Sequence, residues 1–239
     1  MINWLIQQSL LLSAVVLVLV LGRTLLIRYL GAGGSYSLWA IAPLSLTLSF
    51  IPLSPVKDLE AATTITSNIA INVLDSVYIP QAYTIHQDLT YIWAAGALLL
   101  LFVVVCVNWL FRRNLKLKFL STEKNGIQRA AADDITSPMV MGIVKPVLII
   151  PSDFENRYDE TQRALMIKHE LVHKNRGDLI WNTIAILLAC VFWFNPLVWV
   201  GYRYFRLQHE MACDSKVLEQ ESVSNRQSYA YAMIQASAM

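Results

Sequence analysis

Two histidines and a glutamate in the second half of the chain have the spacing of a zinc peptidase motif. They belong to the pentapeptide His169-Glu170-Leu171-Val172-His173. Residues four apart share one face of a helix, so both imidazoles can bind a single Zn²⁺. Glu170 lies between them and can act as a base on a water that the metal activates. The motif therefore predicts zinc-dependent amide hydrolysis, with His169 and His173 as metal ligands and Glu170 as the catalytic residue.

A catalytic zinc usually has a third protein ligand, and the candidates are His209, Glu210 and Asp214. Glu210 and Asp214 share a helix face, so one can bind the metal while the other orients a ligand histidine. This ExxxD pattern after HExxH resembles the gluzincin peptidases, which implies Glu210 as the ligand and Asp214 as the orienting residue. His209 points about 100° away from Glu210 on a helix and ranks lower. The structural alternative is a polar cluster that binds no metal.

The composition predicts a membrane protein. Of the 239 residues, 56% are hydrophobic and only 15% are charged, and the mean hydropathy is +0.46. Three apolar segments predict three transmembrane helices: one that ends near Leu21, one from Tyr36 to Ile51 that contains Pro43, and one from Ile92 to Phe111. We expect a mainly α, polytopic fold with a small β-sheet.

Positive charges predict the orientation in the cell (inner) membrane. Lys and Arg follow the first segment, at Arg23 and Arg28, and the third, within 112–118, whereas the loop 54–88 is poor in them. The amino terminus and that loop should therefore face out. We divide the chain into a transmembrane part at 1–111 and a zinc metallopeptidase domain at 112–239 that faces the cytoplasm. No basic cluster beyond the juxtamembrane one suggests direct nucleic-acid binding.

Short elements should surround the motif. β-Branched runs broken by Gly and Pro predict a small sheet between 115 and 151, and Val147 to Ile150 is the clearest strand and a candidate to bind substrate by β-addition. A helix should run from Asp159 to Arg176, capped by Asp159 with Gln162 and ended by Gly177. Asp178 can cap the next helix, or hold a ligand histidine as a second outer carboxylate.

The apolar stretch from Leu179 to Val200 is long enough to cross a bilayer, but Asn195-Pro196 within it favours a turn. The two arms would measure roughly 26 Å and roughly 21 Å at 1.5 Å per residue, which returns Glu210 to the level of the histidines. We therefore predict a re-entrant helical hairpin at 179–210.

Several segments in this order resemble the BlaR/MecR-type antirepressor membrane metallopeptidases. They are Ser137 to Gly142, Lys145 to Pro151, HELVH with Arg176 and Asp178, Phe194 to Trp199, and Glu210 to Asp214. The resemblance implies a cytoplasm-facing zinc endopeptidase of signal transduction and antibiotic resistance. Such an enzyme cleaves itself and promotes loss of a DNA-bound repressor, so the implied partners are the bilayer, the chain itself and a winged-helix repressor, with a homodimer left open.

The sequence departs from the sensor members of that family, because it stops at Met239 without an outward penicillin-binding domain. We expect a fragment or a member without that sensor, and β-lactam sensing is not assigned. Two other functions stay open. One is a housekeeping membrane protease of the HtpX or CAAX-processing kind, and the other is a transducer that does not catalyse.

Overall fold

The computed structural model describes residues 1–48, 81–122 and 127–237, and most of them are helical. The helices are α1 (Ile2–Leu21), α2 (Arg23–Ser37), α3 (Ile41–Leu48), α4 (Gln81–Asn114), α5 (Phe154–Arg157), α6 (Glu160–Arg176), α7 (Asp178–Val191), α8 (Pro196–Leu218) and α9 (Val223–Ser237). The strands are β1 (Lys118–Thr122), β2 (Gln128–Ala132), β3 (Met139–Met141) and β4 (Val147–Pro151). The expected mainly helical fold with a small sheet is confirmed.

Two helices in the described ranges, not three, are long and apolar enough to cross a membrane: Ile2–Leu21 and Gln87–Asn114. The middle segment was predicted wrongly as a single span. A 3-10 turn at Leu38–Ala40 precedes α3, whose 8 residues extend only about 12 Å. Pro43 lies in the first turn of α3, where its missing N–H is tolerated, so a helix begins there rather than continuing through it. The end of that segment, residues 49–51, lies outside the described residues.

The sheet has the order β1-β2-β4-β3. β4 pairs with β2 in parallel and with β3 in antiparallel orientation, and its Leu148 and Ile149 are fully buried. Both edges of β4 are therefore occupied, so the proposal that Val147 to Ile150 adds a substrate strand was wrong. β3 is the edge strand on the side of α6.

The ends of α6 follow the sequence closely. The Asp159 carboxylate accepts from the N–H of Gln162, and the Gln162 side chain accepts from the N–H of Asp159, so the predicted capping box is confirmed. Gly177 ends the helix with φ +70°, a conformation that favours glycine. The next helix, α7, starts at Asp178 without a side-chain cap, so the capping role expected for Asp178 was wrong.

Helices α7 and α8 form an antiparallel pair joined by a turn at 192–195. The side-chain oxygen of Asn195, Oδ1, accepts from the N–H of Leu197 and caps α8. Its amide nitrogen donates to the hydroxyl groups of Ser9 at 2.8 Å and Ser13 at 2.7 Å on α1. The turn is thus tied to α1, and α8 returns from it towards α6.

The remaining packing encloses α6 and α8. α1 and α2 both lie against α8, and α1 approaches closely because a Cβ on Gly201 would be 3.0 Å from the Val16 methyl groups. α9 packs on α6, where its Ala232 is fully buried beside Met166 and Leu148. Helices distant in sequence therefore surround the histidine motif.

Candidate metal centre

Three side chains from two helices bring ligand atoms to one point. His169 and His173 project from α6 and are 5% and 9% exposed, and Glu210 projects from α8. The Nε2 atoms of the two histidines are 3.0 Å apart. The Glu210 Oε2 atom lies 3.5 Å from Nε2 of His169 and 3.4 Å from Nε2 of His173. The three atoms form a nearly equilateral triangle.

The size of this triangle suits zinc. Ligands at about 2.0–2.1 Å from a tetrahedral zinc lie roughly 3.3–3.4 Å from each other. The observed sides of 3.0, 3.4 and 3.5 Å lie close to that spacing. The donor set of two imidazoles and one carboxylate is also the set found in thermolysin-type catalytic sites. The residues present therefore fit a Zn²⁺ ion with one position left for water or substrate.

Outer partners turn the Nε2 atom of His169 towards this point. Its Nδ1 atom lies 2.8 Å from the Tyr229 hydroxyl and 3.1 Å from Oδ1 of Asp214. The Tyr229 hydroxyl itself donates to Asp214 at 2.6 Å. Burial and the Asp214 carboxylate raise the pKa of Tyr229, so its hydroxyl stays protonated. The proton of a neutral His169 is therefore held on Nδ1, and the lone pair of Nε2 is free for a metal.

A second carboxylate does the same for His173. Oδ2 of Asp178 lies 2.8 Å from Nδ1 of His173, and Oδ1 accepts from the hydroxyl of Tyr36 at 3.0 Å. Asp178 is 1% exposed and also lies 3.0 Å from Nε2 of His209 and 3.4 Å from Nε of Arg176. Burial alone raises the pKa of Asp178, but hydrogen bonds to His173 and His209 and the charge of Arg176 hold it well below its usual range. It is thus a permanent anion beside His173.

The surroundings favour positive charge at the centre of the triangle. Burial lowers the pKa of His169, but hydrogen bonds to Asp214, Cys213 and Glu210 more than offset it and raise that pKa to about 12. Two neutral Nε2 atoms facing each other at 3.0 Å repel unless a proton or a metal cation lies between them. The same carboxylates that favour protonated imidazoles favour a divalent cation bound to neutral ones.

Glu170 faces a cleft of about 420 Å³ that runs past the three ligands. Its Oε2 atom accepts from the backbone N–H of Val140 on β3 at 3.0 Å. Burial raises the pKa of Glu170, and the neighbouring His169 and His173 oppose this rise without cancelling it. A carboxylate whose pKa is raised towards neutrality is a better general base near physiological pH. Asn182 and Arg206 line the cleft on its other side.

Two other residues approach the histidines. Cys213 is fully buried, and its Sγ atom donates to the carbonyl of His169 at 3.3 Å, within reach of a metal bound by His169 and His173. His209 forms a second possible ligand group with His173 and Asp178. However, its Nε2 atom contacts Oδ2 of Asp178 at 3.0 Å, the same oxygen that Nδ1 of His173 contacts at 2.8 Å, so it lies on the Nδ1 side of His173 and not at its Nε2 atom. Glu210 is the candidate whose oxygen closes the triangle on both Nε2 atoms.

The structure brings together all the residues singled out as candidates from the sequence. His169, His173 and Glu210 meet at one point, and Glu170 lies beside them. Asp214 contacts His169, and Asp178 contacts His173 and His209. Sequence analysis missed Tyr229 and Tyr36, because neither lies at a regular spacing from the motif. It also missed the Val140 N–H, since almost every residue has a backbone N–H and the residue type does not show which one donates to Glu170.

Comparison with known proteins places this arrangement in a family. A family model described as BlaR1 peptidase M56 matches residues 3–239. The methicillin resistance mecR1 protein of Staphylococcus aureus is 25% identical over an alignment of 239 positions, which covers 84% of this chain and 40% of that protein. The regulatory protein BlaR1 of Bacillus licheniformis is 35% identical over 85 residues, which cover 36% of this chain and 14% of that protein. The chain thus spans less than half the length of these curated relatives.

Proposed function

Because the chain belongs to the BlaR1 peptidase M56 family, we propose that it is a membrane-embedded zinc endopeptidase of the signal-transducing, antirepressor type. The observation that carries this proposal is the triangle of His169 Nε2, His173 Nε2 and Glu210 Oε2, which has the dimensions of a zinc site with an open position. The family match favours this function over the HtpX or CAAX-processing alternative.

Each residue of the centre has a distinct role in this proposal. His169, His173 and Glu210 would hold the zinc ion, which would act as a Lewis acid towards the scissile carbonyl and water. Glu170 removes a proton from the attacking water at its Oε atom and delivers it to the departing amide nitrogen. The Val140 N–H fixes the orientation of this carboxylate. Asp214 with Tyr229, and Asp178 with Tyr36, hold the imidazoles in the tautomer that exposes Nε2.

The edge strand β3 is the best place for an extended substrate. It borders the cleft with Pro138, Met139 and Val140, and its inner side is already paired with β4. A peptide aligned along its outer side would pass Glu170 and the zinc ligands within one cleft. This geometry suits cleavage within an unfolded segment of a protein chain.

The membrane part of the proposal explains the polar contacts at the tip of α7 and α8. We place α1 and residues 87–114 across the bilayer and the turn at 192–195 within it, as a re-entrant hairpin whose two ends lie on the cytoplasmic side. A turn at that depth requires its backbone and polar groups to be covered by protein. Asn195 supports this placement because its side-chain Nδ2 donates to the hydroxyl groups of Ser9 and Ser13 and its Oδ1 accepts from the N–H of Leu197.

The substrates we propose are the chain itself and a cytoplasmic winged-helix repressor. The test is co-expression with a repressor encoded nearby, with the lifetime of the repressor and the integrity of the chain followed on immunoblots under an inducing stimulus. Wild type should shorten the repressor lifetime and Glu170→Gln should not. Glu160→Gln, an exposed glutamate on the same helix, is the matched control and should behave as wild type. Equal repressor loss with Glu170→Gln would support a transducer that does not catalyse.

A further inference from the structure

A second cleft, separate from the one that Glu170 faces, lies between the α2 end and α8. It has a volume of about 490 Å³ and is lined by Tyr36, Trp39, Trp181 and Phe205 together with two cationic side chains, Arg176 and Lys216. Tyr and Trp beside Arg and Lys are typical of the level where a bilayer meets water. Tyr36 also bonds the carboxylate that holds His173, but no step on the peptide substrate takes place in this cleft in the proposed mechanism.

Arg176 has hydrogen-bonding capacity to spare in this cleft. Its guanidinium lies 4.4 Å from the centre of the Tyr36 ring, and its Nε atom is 3.4 Å from Oδ1 of Asp178. Its Nη2 atom is buried, yet it makes no hydrogen bond to any residue in the described part of the chain. Both carboxylate oxygens of the neighbouring Asp178 already have hydrogen-bond partners, Tyr36 at Oδ1 and His173 at Oδ2. A buried guanidinium nitrogen without an acceptor is costly, and an anionic oxygen is the partner that satisfies it best.

A smaller apolar cleft of about 50 Å³ adjoins it. Trp39, Trp181 and Phe205 line both clefts, and the apolar cleft lies between α1, α3, α7 and α8 among Leu12, Leu188 and Val198. A ligand that fills both needs an anionic head group and a hydrocarbon tail. Lys216, although its Nζ atom is paired with Glu219 at 2.7 Å, adds a second positive charge at the head-group end.

We propose that this double cleft binds one anionic phospholipid, with its phosphate on Arg176 and the first methylene groups of one acyl chain between α1 and the α7–α8 pair. The proposal rests on the membrane placement in the proposed function and not on proteolysis. The chemistry it requires is a phosphate, which a lipid or a soluble phosphate ester could supply. The apolar extension favours the lipid.

The test is native mass spectrometry of the full chain purified in mild detergent and titrated with phosphatidylglycerol or phosphatidylcholine of identical acyl chains. Phosphatidylglycerol should be retained at one molecule per chain, about tenfold more tightly than phosphatidylcholine, as expected for a charge-assisted hydrogen bond to a buried group. Arg176→Gln should abolish this preference. The matched control Arg113→Gln removes the same charge from an arginine that stacks on the exposed Trp109, outside the cleft, and should preserve the preference.

Further arms separate the remaining explanations. Glycerol phosphate carries the phosphate without a tail and should bind far more weakly than phosphatidylglycerol, and equal binding would overturn the lipid assignment in favour of a free phosphate ester. Lys216 is exposed, so the Lys216→Gln protein should fold normally. It should bind phosphatidylglycerol about threefold more weakly, and it therefore tests the cleft if Arg176→Gln misfolds. Equal retention of both lipids by the wild type would refute the proposal. The Glu170→Gln protein should keep the preference, so a failure of the peptidase assignment leaves this result unaffected.

Discussion

The assignment of Glu210 as the third metal ligand can be tested directly. We predict that Glu210→Gln lowers the affinity for Zn²⁺ more than any other single substitution outside the two ligand histidines. Glu210 Oε2 is 3.4–3.5 Å from both Nε2 atoms, and the neutral amide oxygen of glutamine is a much weaker ligand for a hard dication. Because the Glu210 side chain is 44% exposed, glutamine is accommodated without burying an unpaired group.

The expected magnitude follows from comparison with the outer partners. Loss of a residue that only orients a ligand typically costs about 10- to 100-fold in metal affinity. Loss of the ligand itself should cost at least the upper end of that range, about 100-fold, which is about 2.7 kcal/mol. Cys213→Ser retains a donor to the His169 carbonyl and should change zinc affinity by less than about threefold.

The assay is competition for zinc against a chromophoric chelator, with all variants built in the Glu170→Gln background so that no self-cleavage occurs. Far-ultraviolet circular dichroism without metal is the control for folding. His209→Gln is the third variant, since Nε2 of His209 contacts Asp178 at 3.0 Å and its Nδ1 atom lies 3.7 Å from Oε1 of Glu210, so neither nitrogen is a corner of the triangle. If Glu210→Gln kept its affinity while Cys213→Ser or His209→Gln lost it, the ligand set and the geometric case for the hairpin would both be wrong.

Three further predictions concern the surroundings of the centre. Asp214→Ala should lower zinc affinity about 10- to 100-fold, and Tyr229→Phe by less, about three- to tenfold, because the carboxylate still reaches His169. Asn195→Ala should destabilise the protein by about 2 kcal/mol in chemical denaturation, since it removes the α8 cap and the bonds to α1. Single cysteines at Lys174 and Lys216, in a background without native cysteines, should be labelled only from the cytoplasm by a membrane-impermeant thiol reagent.

Matched controls exist for the substitutions at Tyr229, Asp214 and Asn195. Tyr231→Phe alters a tyrosine that is 71% exposed on the same helix as Tyr229 and should leave zinc affinity unchanged. Asp134→Ala and Asn175→Ala change exposed residues of the same types. Wild-type zinc affinity in Asp214→Ala would reduce that residue to a packing role. Labelling of position 216 from outside intact cells would break the hairpin topology and separate Glu210 from the histidines.

Local signals in the sequence predicted the parts of the fold that local physics decides. The ends of α6 were predicted to the residue, because a capping box at Asp159 and a left-handed glycine at Gly177 need only neighbours along the chain. The strand at 147–151 and the turn before Pro196 were predicted for the same reason. The single span from Tyr36 failed since hydropathy alone does not say whether a proline begins a helix or lies inside it.

Contacts between distant segments were beyond such reasoning. Tyr36 is 142 residues from Asp178 and Tyr229 is 60 residues from His169, and neither hydroxyl has a spacing that would reveal its partner. Sequence therefore suggested which carboxylates could hold the histidines, but not which hydroxyls would complete the two chains of hydrogen bonds. The role of β3 as the open edge beside Glu170 likewise depends on strand order, which no single strand encodes.

The division at residue 111 describes proposed membrane topology, and the packing crosses it. Tyr36 from α2 bonds the carboxylate that holds His173, while Ser35 and Trp39 both donate to the side chain of Gln208, two residues before Glu210. The end of α2 thus contacts the supports of one ligand from α6 and one from α8. A shift of α2 relative to α8 would disturb His173 and Glu210 together, because the contacts of Tyr36, Ser35 and Trp39 are buried and closely packed. These contacts are a physical connection through which a movement of the amino-terminal helices would alter the metal centre.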